Sequence, residues 1–222
     1  MFHMEESNRG LSMANALVKD FMEIQPTPKD PSALVAKLMD AYSEPKRTYY
    51  TIQRAAKVRH LLLTYVDEVL VNPDPNQILA AKMSIWFQDA VRNPSWDDCE
   101  ERSAEMATSM LGSAYNINRI ALKNNIVAFR TRKAMPHTVT SCALDANLTV
   151  LSYSEDVYFK AYLPALRRDY SRFSDKFWDV KRREYAEELL GSEKIFFNMP
   201  SLEEDARKNL RKELHYINSR NS

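Results

Sequence analysis

The sequence predicts an all-α protein, a single bundle of helices. Apolar residues recur at helical spacing through most of the chain, and no alternating apolar–polar run is long enough for a sheet. Glycine occurs only 3 times in 222 residues, which suits helices with few strained loops; the turns lean on 10 prolines instead.

Residues 11–23 carry apolar positions at Leu11, Ala14, Leu17, Val18, Phe21 and Met22, and Pro26, Pro28 and Pro31 break that pattern. Ser32 is placed to cap a second helix that turns Leu34, Val35, Leu38 and Met39 inward and stops at Glu44-Pro45. Residues 49–70 form a long helical pattern, and Asn72-Pro73-Asp74-Pro75 predicts a loop after it. Residues 77–91 are apolar over much of the circumference and predict an interior helix ending at Asn93-Pro94. Within it, Trp86 and Phe87 face the core and Asp89 projects between helices. Further helices are predicted over 100–111, 118–132, 154–166, 176–190 and 201–217, with a loop at 133–141 and a short apolar segment at 144–150. No repeat, low-complexity tract or composition shift divides the chain, so residues 1–222 read as one domain with N-terminal helices over 1–40.

Composition excludes several functions. A formal net charge of +1 creates no global field for nucleic acid or an anionic membrane, and the basic residues Arg167, Arg168, Lys181, Arg182 and Arg183 predict a solvated helix face. No apolar run approaches the ~20 residues needed to span a bilayer. The first ten residues contain Glu5 and Glu6 and no secretory pattern. Cys99 and Cys142 lie far apart and predict free thiols in a reducing compartment, the cytoplasm by default or another such as an organelle matrix. Glycine-rich phosphate loops are absent. The histidines His3, His60, His137 and His215 are scattered without metal-ligand spacing, and His60 falls within a helix as a core or boundary residue.

Six ordered segments carry a resemblance. Tyr42-Ser43-Glu44-Pro45-Lys46-Arg47-Thr48-Tyr49-Tyr50-Thr51-Ile52-Gln53-Arg54 resembles Y-x-E-P-x-R-x-Y-H-T-x-x-H, and Trp86-Phe87-Gln88-Asp89-Ala90-Val91 resembles W-F-H-D-A-V-Y-D-P. Residues 98–104 resemble D-N-E-E-R-S-A, 126–132 resemble I-L-A-T-[KR]-x-H, 144–148 resemble L-D-A-D-L, and 167–177 resemble an R-x-E-Y tract closed by Phe. These are motifs of a family of predicted metal-dependent HD-domain phosphohydrolases, and the similarity covers residues 41–214.

The departures fall on the family's histidines. Tyr50, Arg54, Gln88 and Arg132 stand where the motifs have histidine, Asn147 stands for the second aspartate of L-D-A-D-L, and Asp89 and Asp145 are retained. Either aspartate position of that motif could be the family's ligand. Transition metals need imidazole and carboxylate donors. Arginine has no lone pair to offer, and tyrosine must first lose a proton with a pKa near ~10. The resemblance therefore implies a degenerate hydrolase centre with no catalytic residues and no cofactor. It leaves Asp89 and Asp145 as weak candidates for Mg²⁺ and for a surviving phosphoester hydrolase.

Arg54 and Arg132 are expected to enter the old metal space and pair with Asp89 and Asp145. Alternatively they form, with Arg92, a phosphate-binding pocket without hydrolysis. Glu100 and Glu101, at the family's E-E, either support the site or orient Arg102. The function expected is that of a non-catalytic interaction or scaffold subunit with a protein partner or larger assembly. Trp96, Tyr115, Tyr153, Phe196 and Phe197 are its candidate exposed contacts.

Overall fold

The computed structural model describes residues 2–25, 30–45, 47–113 and 115–220, residues 2–12 by their backbone alone. The breaks expected at Pro26 and Pro28, the side chains of His3 and Leu11, and Lys46 of the first motif lie outside the described residues. Among the described residues every regular element is helical.

Helix α1 (Phe2–Glu23) begins earlier than the apolar spacing predicts. In α2 (Ser32–Ala41), Ser32 is the first helical residue rather than the cap. Pro31 takes the cap position, and Asp30 accepts the Ser32 N–H at 2.9 Å. The Thr51 hydroxyl caps α3 (Ile52–Val69) by accepting the Arg54 N–H. The predicted loop at 72–75 also supplies the start of α4 (Pro75–Phe87). Asp74 accepts the Asn76 N–H, and Pro75 opens the helix because the first turn needs no donor there. Residues 80–87 are all buried, as expected of an interior helix. It stops at Phe87, however, so Gln88 and Asp89 lie in the turn beyond α4 and not on it.

Asn118 caps α6 (Arg119–Thr131), which packs on α5 (Cys99–Met110). Helix α7 (Val139–Leu148) begins inside the predicted loop because Thr138 and Ser141 cap one another's backbone reciprocally. A tight turn, Thr149–Ser152, leads to α8 (Glu155–Val157), a π-turn at Tyr158–Tyr162 and α9 (Leu163–Asp169). Ser174 caps α10 (Asp175–Gly191), and α11 (Glu203–Arg220) closes the bundle.

Helix α4 is central, touching α1, α3, α5, α6 and α7, while α3 lies along α7 and α11 along α10. The apolar interior separates into two clusters. One gathers Phe21, Leu62, Trp86, Phe87 and Ile126 from the first seven helices. The other begins at Leu148 and gathers Leu151, Tyr158, Leu166, Trp178 and Leu210. Met199 and Leu202 pack against both.

Several expectations are corrected by long-range partners that local spacing does not reveal. Arg182, expected on a solvated face, is buried and donates to both oxygens of Glu213 at 2.6 and 2.8 Å, while the Tyr158 hydroxyl donates to the same carboxylate at 2.6 Å. Phe196 is buried in the second cluster, and Tyr115, Tyr153 and Phe197 are half-buried. Of the five candidate contact aromatics, Trp96 alone is exposed, at 45%. His60 is exposed. Cys99 and Cys142 are buried free thiols; burial pushes Cys142 up to about 12, away from the reactive thiolate. Among the described residues no helix is long and apolar enough to cross a membrane.

Candidate functional site

The segment between α2 and α3 and the turn after α4 are locked together before any site side chain is placed. Arg47 donates to the carbonyls of Asp89 and Ala90, the latter at 3.1 Å. Asp169, at the end of α9, accepts the backbone N–H groups of Thr48, Tyr49 and Tyr50, the last at 3.0 Å. These contacts bring the start of α3 and the end of α4 to one cavity of about 360 Å³, which lies where the two apolar clusters meet.

Tyr50, Arg54, Gln88, Asp89, Arg92, Arg132 and Asn147 all line that cavity. Arg54 sits at its centre. Its guanidinium donates to Asp89 at 2.7 Å and to the Asn147 side-chain oxygen at 2.5 Å, and it lies over the Tyr49 ring at 4.8 Å. Burial alone would lower its pKa, but Tyr49 and Asp89 more than offset that, so Arg54 stays charged.

Arg92 forms a second knot. It donates to the Tyr50 hydroxyl at 2.9 Å, to the Tyr170 hydroxyl at 3.2 Å and to Glu100 at 3.2 Å, with its guanidinium 4.1 Å from the Tyr50 ring centre. Burial pushes the Tyr50 hydroxyl well above its ordinary value, and the Arg92 charge offsets this only in part, so no phenolate ligand is at hand. Glu100 serves Arg92, whereas Glu101 pairs with Arg130 and Arg102 with Asp98; neither glutamate orients Arg102.

Two expected site residues do something else. Asp145 is fully buried but is not among the residues lining the cavity. It accepts the Phe197 and Asn198 N–H groups at 2.7 Å each and the Asn198 side-chain amide at 3.1 Å, so it holds the 192–199 loop instead of facing Arg132. Replacing Asp145 by alanine leaves two half-buried N–H groups without their acceptor. The expected loss, read by urea denaturation, is about 2–6 kcal/mol at roughly 1–3 kcal/mol for each group. Arg132 reaches the cavity mouth but pairs with Glu188, not with either aspartate. It ends α6 with φ at +50°, the left-handed conformation that glycine takes most readily.

The residues present do not fit a metal. Arg54 occupies the space between Asp89 and Asn147, and a guanidinium repels a cation. Among the described residues no group of three His, Cys, Asp or Glu side chains is placed to hold an ion. Residue spacing missed Tyr170, Tyr162, Lys181 and Glu188, which complete the wall from the second cluster. The only local sign of them was the tract at 167–177, which contains Tyr170. Gln88 is 3% exposed and its side-chain nitrogen donates to nothing, a cost of about 1–3 kcal/mol for a buried donor.

Comparison of the chain with protein-family models, with curated proteins and with solved structures finds no match.

Proposed function

We propose that this chain is a non-catalytic protein resembling HD-domain phosphohydrolases, acting as an interaction or scaffold subunit. In this reading a closed arginine–carboxylate cluster replaces the ancestral metal. The observation that supports it is Arg54, whose guanidinium joins Asp89 to Asn147 at hydrogen-bonding distance. A hydrolase of this kind needs a metal to bring the pKa of bound water down from its bulk value towards ~7. Asp89, already paired at 2.7 Å, is not free to hold that ion. A Mg²⁺-dependent hydrolase working through Asp89 and Asp145 has less support, because Asp145 faces the 192–199 loop. Trp96, exposed beside Arg102, is the candidate partner contact that keeps its place at the surface.

Purified chain is expected to contain no stoichiometric Zn, Mn, Fe or Mg by elemental analysis. It is expected to release no phosphate from p-nitrophenyl phosphate or nucleoside phosphates with those metals added. One ion per chain together with metal-dependent turnover would falsify the reading.

A further inference from the structure

We infer that a cleft between α3 and the π-turn binds a small monocarboxylate with an apolar tail, its carboxylate on Lys57 and its tail in the hollow beside it. This goes beyond the scaffold reading and stands on a second cavity. The cleft encloses about 220 Å³. Both apolar clusters wall it: Val58 and Ala146 belong to the first, and Tyr162 to the second, with Val150 packed against that one. Tyr49, Arg54, Asn147 and Tyr162 also line the larger cavity, so they form the partition between the two.

The sequence explains why the space exists. Alanine lines it from three elements: Ala146 of α7, Ala161 of the π-turn and Ala165 of α9. Pro164 lacks the N–H that would close a regular turn on Lys160, and the chain takes its π-turn just before it. Ten of the thirteen lining side chains are aliphatic or aromatic; only Arg54, Lys57 and Asn147 carry a charge or an amide. A tail that fills such a hollow gains from the burial of both surfaces. An apolar cavity of ~150 Å³ takes a benzene ring, so this one suits an alkyl chain of about eight carbons.

The charge at the rim selects the head group. Arg54 and Asn147 are bonded to one another, and Arg54 also to Asp89, so neither is spare. Lys57 is different. Its ammonium lies 4.3 Å from the centre of the Tyr153 ring, and among the described residues it has no hydrogen bond and no carboxylate partner. The acidic residues of α8, Glu155 and Asp156, pair with Lys212 and Lys160 instead. Tyr153 lines the cleft too, so the ring holds the ammonium at the rim with its three N–H donors unspent. A fixed cation beside an apolar hollow is complementary to an acid at the end of an apolar tail. The tail supplies most of the affinity, and the exposed ion pair supplies the selectivity.

The probe is octanoate, titrated into the full chain by calorimetry. It is expected to bind one per chain with a Kd of about 1 mM or below. Hexanoate, two methylenes shorter, is expected to bind about 10–15-fold more weakly, at about fourfold for each methylene. Octan-1-ol lacks the charge and is expected to bind about two- to fivefold more weakly than octanoate; octylamine, with the opposite charge, is weaker again. Lys57→Gln is expected to fold and to remove the difference between octanoate and octanol. Ala165→Leu puts a larger side chain into the hollow while keeping a good helix former. It is expected to melt no lower than the native chain and to weaken octanoate and octanol alike, at least about tenfold.

The inference is overturned if octanoate shows no saturable binding at about 10 mM, or if octylamine binds as tightly. It is also overturned if Lys57→Gln and a folded Ala165→Leu both bind octanoate as the native chain does. These outcomes leave the scaffold reading untouched, because metal content and phosphate release decide that one.

Discussion

Asp20→Ala is expected to lower stability by about 3–5 kcal/mol, the cost of leaving buried charges without their partner. The melting temperature should fall by roughly 6–20 °C for a chain of this size. Asp20 is fully buried and gathers three side chains from two helices. Arg59 of α3 donates to both of its oxygens, Trp86 of α4 donates its ring N–H at 2.8 Å, and the Lys82 ammonium lies 3.0 Å away. Without the carboxylate, α1 loses its tie to Arg59 of α3 and to the Trp86 ring N–H, and Arg59 is left without its carboxylate partner, while Lys82 keeps its pair with Glu23 of α1. Asn at the same position keeps the shape but not the charge, so an intermediate loss is expected.

The same carboxylate sets a pH dependence. Burial pushes the Asp20 carboxyl up, but the hydrogen bonds from Arg59 and Trp86 and the charges of Lys82 and Arg59 outweigh it, leaving it below its ordinary 3.8. A depressed folded-state value means that the stabilisation is complete above the ordinary value and is lost as pH falls through the folded one. The gap in unfolding free energy between the native chain and Asp20→Ala should therefore hold constant from about pH 7 to about pH 5 and narrow as pH falls from about 5 to about 3 in urea titrations. A gap that holds its size over that range would show that the loss came from packing rather than charge.

The second large effect is a gain. Arg54→His, Gln88→His and Asn147→Asp together would surround Asp89 with three further donors. The converging hydrogen bonds of Arg54 to Asp89 and Asn147 show that these positions share one space. Two imidazoles and two carboxylates projecting from several helices are the usual donor set for a first-row transition metal in a helical core. The triple variant is expected to hold about one Mn²⁺, Fe²⁺ or Zn²⁺ per chain after dialysis, and the native chain is expected to hold none. Elemental analysis reads the result, and circular dichroism confirms the fold. A folded, metal-free variant would mean that the motif alignment places the histidine positions wrongly.

Apolar spacing made the helices legible because burial of one face is a local property of the sequence. Helix α4 is the clearest case, with residues 80–87 continuously buried. Ends were less legible where a cap decides them: Thr138 with Ser141 starts α7 before its apolar run, and Pro75 begins a helix although it sits in a loop-like tetrapeptide. The motif positions led to seven residues around one cavity, Tyr50, Arg54, Gln88, Asp89, Arg92, Arg132 and Asn147. What spacing could not supply was the partner of each charge. Asp145 and Arg182 are tied to Asn198 and Glu213 across long stretches of chain, and Asp20 is tied to Arg59 and Lys82 across another. Nothing local distinguishes such residues from solvated ones.

The interior's division in two has a bearing on how the molecule breathes. Separately packed clusters are the usual basis of separate cooperative openings, and these two adjoin at the void and at Met199 and Leu202. A guest lodged in the Lys57 cleft, which both clusters wall, would act as mortar between them, merging two openings into one and slowing amide exchange on both sides at once.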